Sequence, residues 1–138
     1  MNTDNNREEE RSGTSSSGLE FESITREIIG AAFEVHRVLG YGFMERVYQR
    51  AMQVELARRG LKAELERRLT VHYKGVLVGE YQADMYVQDA VIVELKAARE
   101  YNANDEAQLL NELKASGDRV GFLINFGRYK VEFKRMVF

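Results

Sequence analysis

Apolar positions in this chain follow two different periods. Ile24, Ile28, Ala31, Ala32, Val35 and Val38 recur at the spacing of one helix face. Ser23 is placed to cap the start of that helix, and Gly40-Tyr41-Gly42 to end it. A second helix follows over about 43–59, with Met44, Val47, Tyr48, Ala51, Val54 and Leu56 as its inward candidates and Gly60 as its C-terminal glycine. The period then changes to two. Leu65, Arg67, Leu69, Val71 and Tyr73 alternate with Glu66, Arg68, Thr70 and His72, which predicts a half-buried strand, and Lys74-Gly75 supplies a turn.

Residues 76–87 and 90–96 predict two more strands, 104–116 a helix stopped by Gly117, and VGFLINF at 120–126 a short apolar strand. After Gly127, Tyr129, Val131, Phe133 and Arg135 alternate with Lys130, Glu132, Lys134 and Met136, as in an edge or one-faced strand. The order ααβββαββ predicts a single α/β domain with a central mixed sheet of about five strands flanked by helices. Residues 1–18 are rich in Asn, Glu, Ser and Gly and have no periodic apolar positions. A disordered polar tail is therefore expected over residues 1–20, and the domain over 21–138.

Composition narrows the function classes. At 138 residues, 44% of them hydrophobic, the chain can bury one core without disulfides or a structural metal. It has no cysteine, which excludes disulfides, thiol nucleophiles and cysteine zinc sites and is compatible with a cytoplasmic location. No signal peptide is expected at its start, and no stretch approaches the roughly 18 continuous apolar residues of a membrane span. The net charge is -2, but residues 1–20 hold five acids and two bases, so the remainder carries 17 acids against 18 bases. That balance permits a nucleic-acid partner without predicting one. No GxxxxGK[ST] phosphate loop is present, and His36 and His72 are too few and too far apart for a zinc site.

One segment can carry hydrolytic chemistry. A hard divalent cation acting on a phosphodiester needs converging carboxylates and a nearby positive group. In YQADMYVQDAVIVELKAA, a hairpin centred on Asp89 pairs residues whose numbers sum to 178, so Asp84 falls opposite Glu94. Cross-strand neighbours share a face at roughly 5 Å between Cβ atoms, and Glu94 and Lys96 point to one side of their strand. An acid two residues before a lysine also occurs at Glu112/Lys114 and Glu132/Lys134. The former lies on a predicted helix, where such side chains diverge, and the latter on a solvated strand face. Glu94 instead follows Ala90-Val91-Ile92-Val93, apolar on both faces. On this pattern alone both a metal site and a structural ion pair fit the three residues.

The segment ITREIIGAAFEVHRVLGYGFMERVYQRAM, with Gly42, Glu45 and Tyr48 at the naming spacing, resembles the GxxExxY family of the PD-(D/E)XK nuclease superfamily. Asp84 with Glu94-Leu95-Lys96 matches the superfamily signature, and the resemblance extends from about Ile24 to Phe138. It implies a restriction-endonuclease-like fold and a nuclease acting on DNA or RNA, with Mg2+ or Mn2+ held by Asp84, Glu94, the Leu95 carbonyl and Glu45. It further implies that Lys96 orients the attacking water and stabilises developing charge, with Gln108 near the scissile phosphate. A homodimer is compatible with it. The departure is Glu112, four residues after Gln108, where related nucleases often have tyrosine. That difference keeps open an inactive, nuclease-derived module that binds nucleic acid or a protein partner. The bland readings are a helix-surface acid for Glu45, a core aromatic for Tyr48 and an exposed amide for Gln108. Arg58, Arg59, Lys62, Arg67 and Arg68, with Arg99 and Lys114 beside the site, could hold phosphates, although solvated surface charge explains any one of them as well.

Overall fold

The two periods become two kinds of element in the computed structural model, which describes residues 2–100 and 102–138, with side chains from Phe21 onward except Tyr101. The helices α1 (Asn2–Leu39) and α2 (Glu45–Arg58) precede strands β1 (Ala63–Tyr73), β2 (Val76–Val87) and β3 (Val91–Lys96). Helix α3 (Ala103–Ser116) and strands β4 (Val120–Asn125) and β5 (Glu132–Val137) complete the chain. This is the expected ααβββαββ order. The disordered tail expected over residues 1–20 falls outside the described side chains.

The five strands form one mixed sheet in the order β1-β2-β3-β4-β5. Only β3 and β4 are parallel, and α3 supplies the crossover that a parallel pair requires. Gly117 ends α3 in the left-handed conformation at φ 77°, donating its N–H to the Leu113 carbonyl. Helices α1 and α2 bury Ile28, Ala31, Val35, Tyr48, Met52 and Leu56 against one face of the sheet. Leu109 and Leu113 of α3 cover the other face, against Ile92 and Leu123. The middle of the sheet is buried on both sides, as the apolar stretches Val91–Val93 and Phe122–Ile124 require. Among the described residues no helix is long and apolar enough to cross a membrane.

Three local expectations are corrected. Ser23 is not a cap, because α1 runs through it without interruption. Helix α2 buries Tyr48, Gln49, Met52 and Leu56, while Met44, Val47 and Val54 are exposed. Its inward arc is therefore rotated from the expected one, and Val38 of α1 is likewise outside the core. The third correction concerns β1, which does not keep one inward face. Leu65 packs with the α1/α2 core but Leu69 with the α3 side, and their cross-strand partners Met85 and Tyr81 divide in the same way. Strictly alternating residues cannot do this unless the ribbon turns over between them. Glu66 sits at that point with φ 57°, a left-handed conformation in mid-strand.

Candidate active site

The register that decides the site is the expected one: Met85 pairs Val93, Tyr86 pairs Ile92 and Val87 pairs Val91. The ladder stops there. At the next pair, Asp84 and Glu94, side chains replace the backbone rungs. The Glu94 carboxylate accepts the Asp84 N–H at 3.2 Å, and Asp84 Oδ2 accepts the Leu95 N–H at 2.8 Å. The strands fork at this point, with one carboxylate from each strand set into the fork.

Helix α2 closes one side of the fork. Gln49 donates to the Asp84 carbonyl at 2.8 Å, fixing α2 against β2. Glu45 stands one helical turn earlier, in the first turn, where the helix dipole favours an acid. Together Glu45, Arg46, Gln49, Glu66, Gln82, Asp84 and Leu95 line a cleft of about 220 Å³. Tyr48 holds the loop that leads into α2. It is wholly buried, donates its hydroxyl to the Gly40 carbonyl at 2.6 Å and accepts the Phe43 N–H at 3.3 Å.

Helix α3 closes the other side. Lys96 emerges from β3 toward it, with its ammonium 3.6 Å from Asp105. Burial alone pulls this ammonium down, but the carboxylates of Asp105, Glu45, Asp84 and Glu94 outweigh burial and hold its pKa above that of an ordinary lysine. Lys96 thus stays a cation within electrostatic reach of all three candidate acids, although its direct contact is with Asp105 and it does not line the cleft that holds Glu45 and Asp84.

Glu94 is buried, and Glu112 of α3 is fully buried beside it. Gln108 donates to Glu112 Oε1 at 3.0 Å, whereas Glu112 Oε2 has no hydrogen-bond partner. Burial first, then the Glu112 carboxyl and the Asp84 charge, pushes the Glu94 pKa far above the carboxylate range. Gln108 therefore reaches the site only through Glu112. In the sequence Glu112 stands out only as half of an acid–lysine pair and as the position where related nucleases often have tyrosine. Its position three residues after Leu109 and one before Leu113 marks the inward face of α3 and could have revealed it.

A profile of the PD-(D/E)XK nuclease superfamily matches residues 22–136, nearly the whole described chain. The chain belongs to the PD-(D/E)XK nuclease superfamily. The crystal structure of SSO0001 is similar to it in fold, with a TM-score of 0.54 at 16% identity over 86% of this chain. The chain spans 60% of that protein's length. No curated protein gives a significant match.

Members of this superfamily are generally divalent-metal dependent, and the donors present here suit such an ion. Carboxylates and carbonyls are the ligands that hard cations take, and the cleft offers no nitrogen or sulfur ligand. Among the described residues no three acidic or histidine side chains already converge as a metal-binding group. Asp84 and Glu94 each accept one backbone N–H instead, and a carboxylate has about four lone-pair sites, which leaves room for a cation on both. The crowding of Asp84, Glu94 and Glu112 makes Glu94 hold a proton, and a cation would take that proton's place.

The basic residues divide. Arg59 is bound to Glu27 and Glu55 at 3.1 Å, and Arg67 to Glu64 at 2.9 Å. Arg68 lies 3.7 Å from Glu80, and the Lys114 ammonium lies over the Phe138 ring. Arg58 and Arg99 are exposed. His36 is structural, with Nε2 2.7 Å from the Arg128 carbonyl.

Proposed function

We propose that this chain is a magnesium- or manganese-dependent nuclease that hydrolyses phosphodiester bonds in DNA or RNA. Asp84, Glu94, Glu45 and the Leu95 carbonyl hold the cation, and the chain falls in the GxxExxY branch of its superfamily. The observation that carries this reading is the fork at Asp84 and Glu94, where two strands part around two carboxylates beside a cationic lysine. A bound cation would polarise the phosphate and lower the pKa of a coordinated water. Lys96, kept protonated by the acids around it, orients water through its N–H groups and offsets charge that develops on the phosphoryl oxygens. It does not act as a general base at neutral pH. Gln108 orients Glu112, and through it Glu94.

The test is cleavage of single- and double-stranded DNA and RNA with Mg2+ or Mn2+. Activity should disappear in chelator and in Glu94→Ala, and fall steeply in Lys96→Ala. A folded wild-type protein that cuts none of these substrates would falsify the reading. A module that binds but no longer cuts is the second reading, favoured by the Lys96 ammonium contacting Asp105 most closely. Thermal melting separates the two. A Mn2+-induced rise in melting temperature that vanishes in Asp84→Asn belongs to the nuclease, and nucleic-acid binding without any such rise belongs to the module.

A further inference from the structure

Three chain segments meet at the end of the sheet where Lys96 leaves β3: loop 40–44, residues 97–100 and residues 126–130. They present two tyrosines to solvent. Tyr129 is 85% exposed and Tyr41 is 52% exposed. The rings meet edge to face, with centroids 5.1 Å apart and planes at 73°. Arg99 is close enough for its charge to act on the Tyr41 hydroxyl.

Exposed aromatic residues taken singly carry no meaning. These differ because both supporting loops are pinned. Tyr48 clamps loop 40–44 through its hydroxyl and stacks on Phe126 at 4.7 Å with the rings nearly parallel. His36 holds the Arg128 carbonyl on the other loop. The Asn125 side chain binds the Ala98 N–H and carbonyl at 3.0 and 2.8 Å, joining the end of β4 to the segment that carries Arg99. Gly127 lies so close to that segment that a Cβ there would come within 2.4 Å of the Ala98 carbonyl oxygen. An aromatic surface held this way loses little freedom when a ligand stacks on it.

The platform is also near the candidate chemistry. Tyr41 precedes Glu45 by four residues and Arg99 follows Lys96 by three. At about 3.5 Å per residue these Cα separations cannot exceed about 14 and 10 Å. A strand lying in the site could therefore set a base on the tyrosines within a few nucleotides of the cleft.

We propose that Tyr129 and Tyr41, with Arg99, form a stacking platform for unpaired bases, so that this site takes its nucleic acid as a single strand. The inference rests on the nuclease reading above and names the substrate class. A duplex hides its base faces and is held mainly through its phosphates. Residues 21–138 carry 18 bases against 17 acids, and several of those bases are already bound to carboxylates, which offers little for a duplex. Stacking supplies affinity without such charge and tolerates any base.

The test measures binding by fluorescence anisotropy in chelator, where nothing is cut and no metal is required. The probes are a short DNA strand, the RNA strand of the same sequence, and the corresponding duplexes. Both single strands should bind more tightly than their duplexes; if only one does, that result identifies the sugar and keeps the platform. Tyr129→Ala should weaken single-strand binding roughly 5- to 150-fold, the equivalent of about 1–3 kcal/mol per stacked base. Tyr129→Phe should restore it, and Tyr41→Ala and Arg99→Ala should each weaken it. The Mn2+ melting shift should be unchanged in Tyr129→Ala, so loss of that shift in wild type would defeat the nuclease reading and leave the platform standing. Duplex binding as tight as single-strand binding overturns the inference, as does a Tyr129→Ala variant that binds like wild type. A wild-type dimer that Tyr129→Ala turns into a monomer, with strand binding unaltered, assigns the tyrosines to a second copy of the chain and also overturns it.

Discussion

Asp84 and Glu94 clasp the opposite strand reciprocally: Asp84 Oδ2 takes the Leu95 N–H, and Glu94 takes the Asp84 N–H. Both bonds depend on one register, since a slip of one residue would turn either carboxylate to the other face. The pair thus performs two tasks. It terminates the β2–β3 ladder and sets two acids at the resulting fork.

The two tasks separate in a pair of Asp84 variants. Asparagine can still accept the Leu95 N–H, whereas alanine leaves that donor unpaired in a half-buried place, at a cost of about 1–3 kcal/mol. Asp84→Ala should therefore melt lower than Asp84→Asn, and both should lose the Mn2+-induced shift. Equal melting temperatures would show that the carboxylate bond to β3 contributes nothing to the fold.

Glu94 gives the metal-free protein a pH dependence of defined sign. Its folded pKa is raised above the unfolded value by burial and by neighbouring carboxyls. The folded state then keeps a proton that the unfolded state releases. Stability contributed by Glu94 is complete below the unfolded carboxylate pKa, about 4.3, and declines as pH rises from there through neutrality. For one proton the slope is at most about 1.4 kcal/mol per pH unit. Wild type in chelator should melt higher at about pH 5 than at about pH 8, and Glu94→Gln should flatten that difference. A wild-type profile as flat as that of the variant would refute it.

Much of this geometry was legible before folding. The element order, the register centred on Asp89 and the stop at Gly117 follow from local rules: turn residues, period and left-handed glycine. What escaped was set by tertiary packing. Met52 rather than Val54 is buried because the phase of α2 is chosen by its docking on α1 and the sheet, and both residues suit a helix interior. Glu112 escaped because a charged residue on an inward helix face is assigned to solvent unless a polar partner is foreseen, and its neighbour Glu94 is distant in sequence. The roles of Glu45 and Gln108 rest on partners contributed by other elements, which no linear spacing contains.

Glu112 is the buried acid whose removal should help the metal-free fold. No N–H reaches its Oε2, which depends on the proton that Glu94 retains in a site crowded with acids. Glu112→Gln keeps an oxygen for Gln108 and adds an N–H that can reach Glu94, so the conflict is relieved. The variant should raise the melting temperature in chelator at neutral pH, by about 1–3 kcal/mol of stability. Glu112→Asp, which keeps the carboxyl and shortens the reach, should not. If glutamine lowers the melting temperature, the buried carboxyl is a net stabiliser and the account of its orphan oxygen is wrong.

Lys96 should matter to rate and little to cation affinity. Its ammonium is offered to charge developing on the phosphate, an interaction that typically carries 100- to 1,000-fold in rate, or about 2.7–4 kcal/mol. Lys96→Met should lose cleavage by roughly that factor while the Mn2+ melting shift stays equal to or larger than that of wild type, because a positive charge beside the acids has been removed. Single-turnover cleavage alongside melting distinguishes this from unfolding. A variant that cuts normally would remove Lys96 from the chemistry.

Glu66 turns the β1–β2 ribbon over, which lets Leu65 face the α1/α2 core and Leu69 face the α3 side. Its φ of 57° costs a residue with a Cβ about 1–2 kcal/mol, a penalty glycine does not incur. Its ion pair to Arg46, at 3.8 Å between exposed groups, contributes little in return. Glu66→Gly should therefore match or exceed wild type in urea midpoint, by up to about 1 kcal/mol. Glu66→Val should lose about 1–3 kcal/mol, because a β-branched side chain suits an ordinary strand and strongly opposes this conformation. The opposite order, with valine the more stable, would mean that β1 runs through position 66 as a regular strand. In that case Leu65 and Leu69 could not reach opposite sides of the sheet.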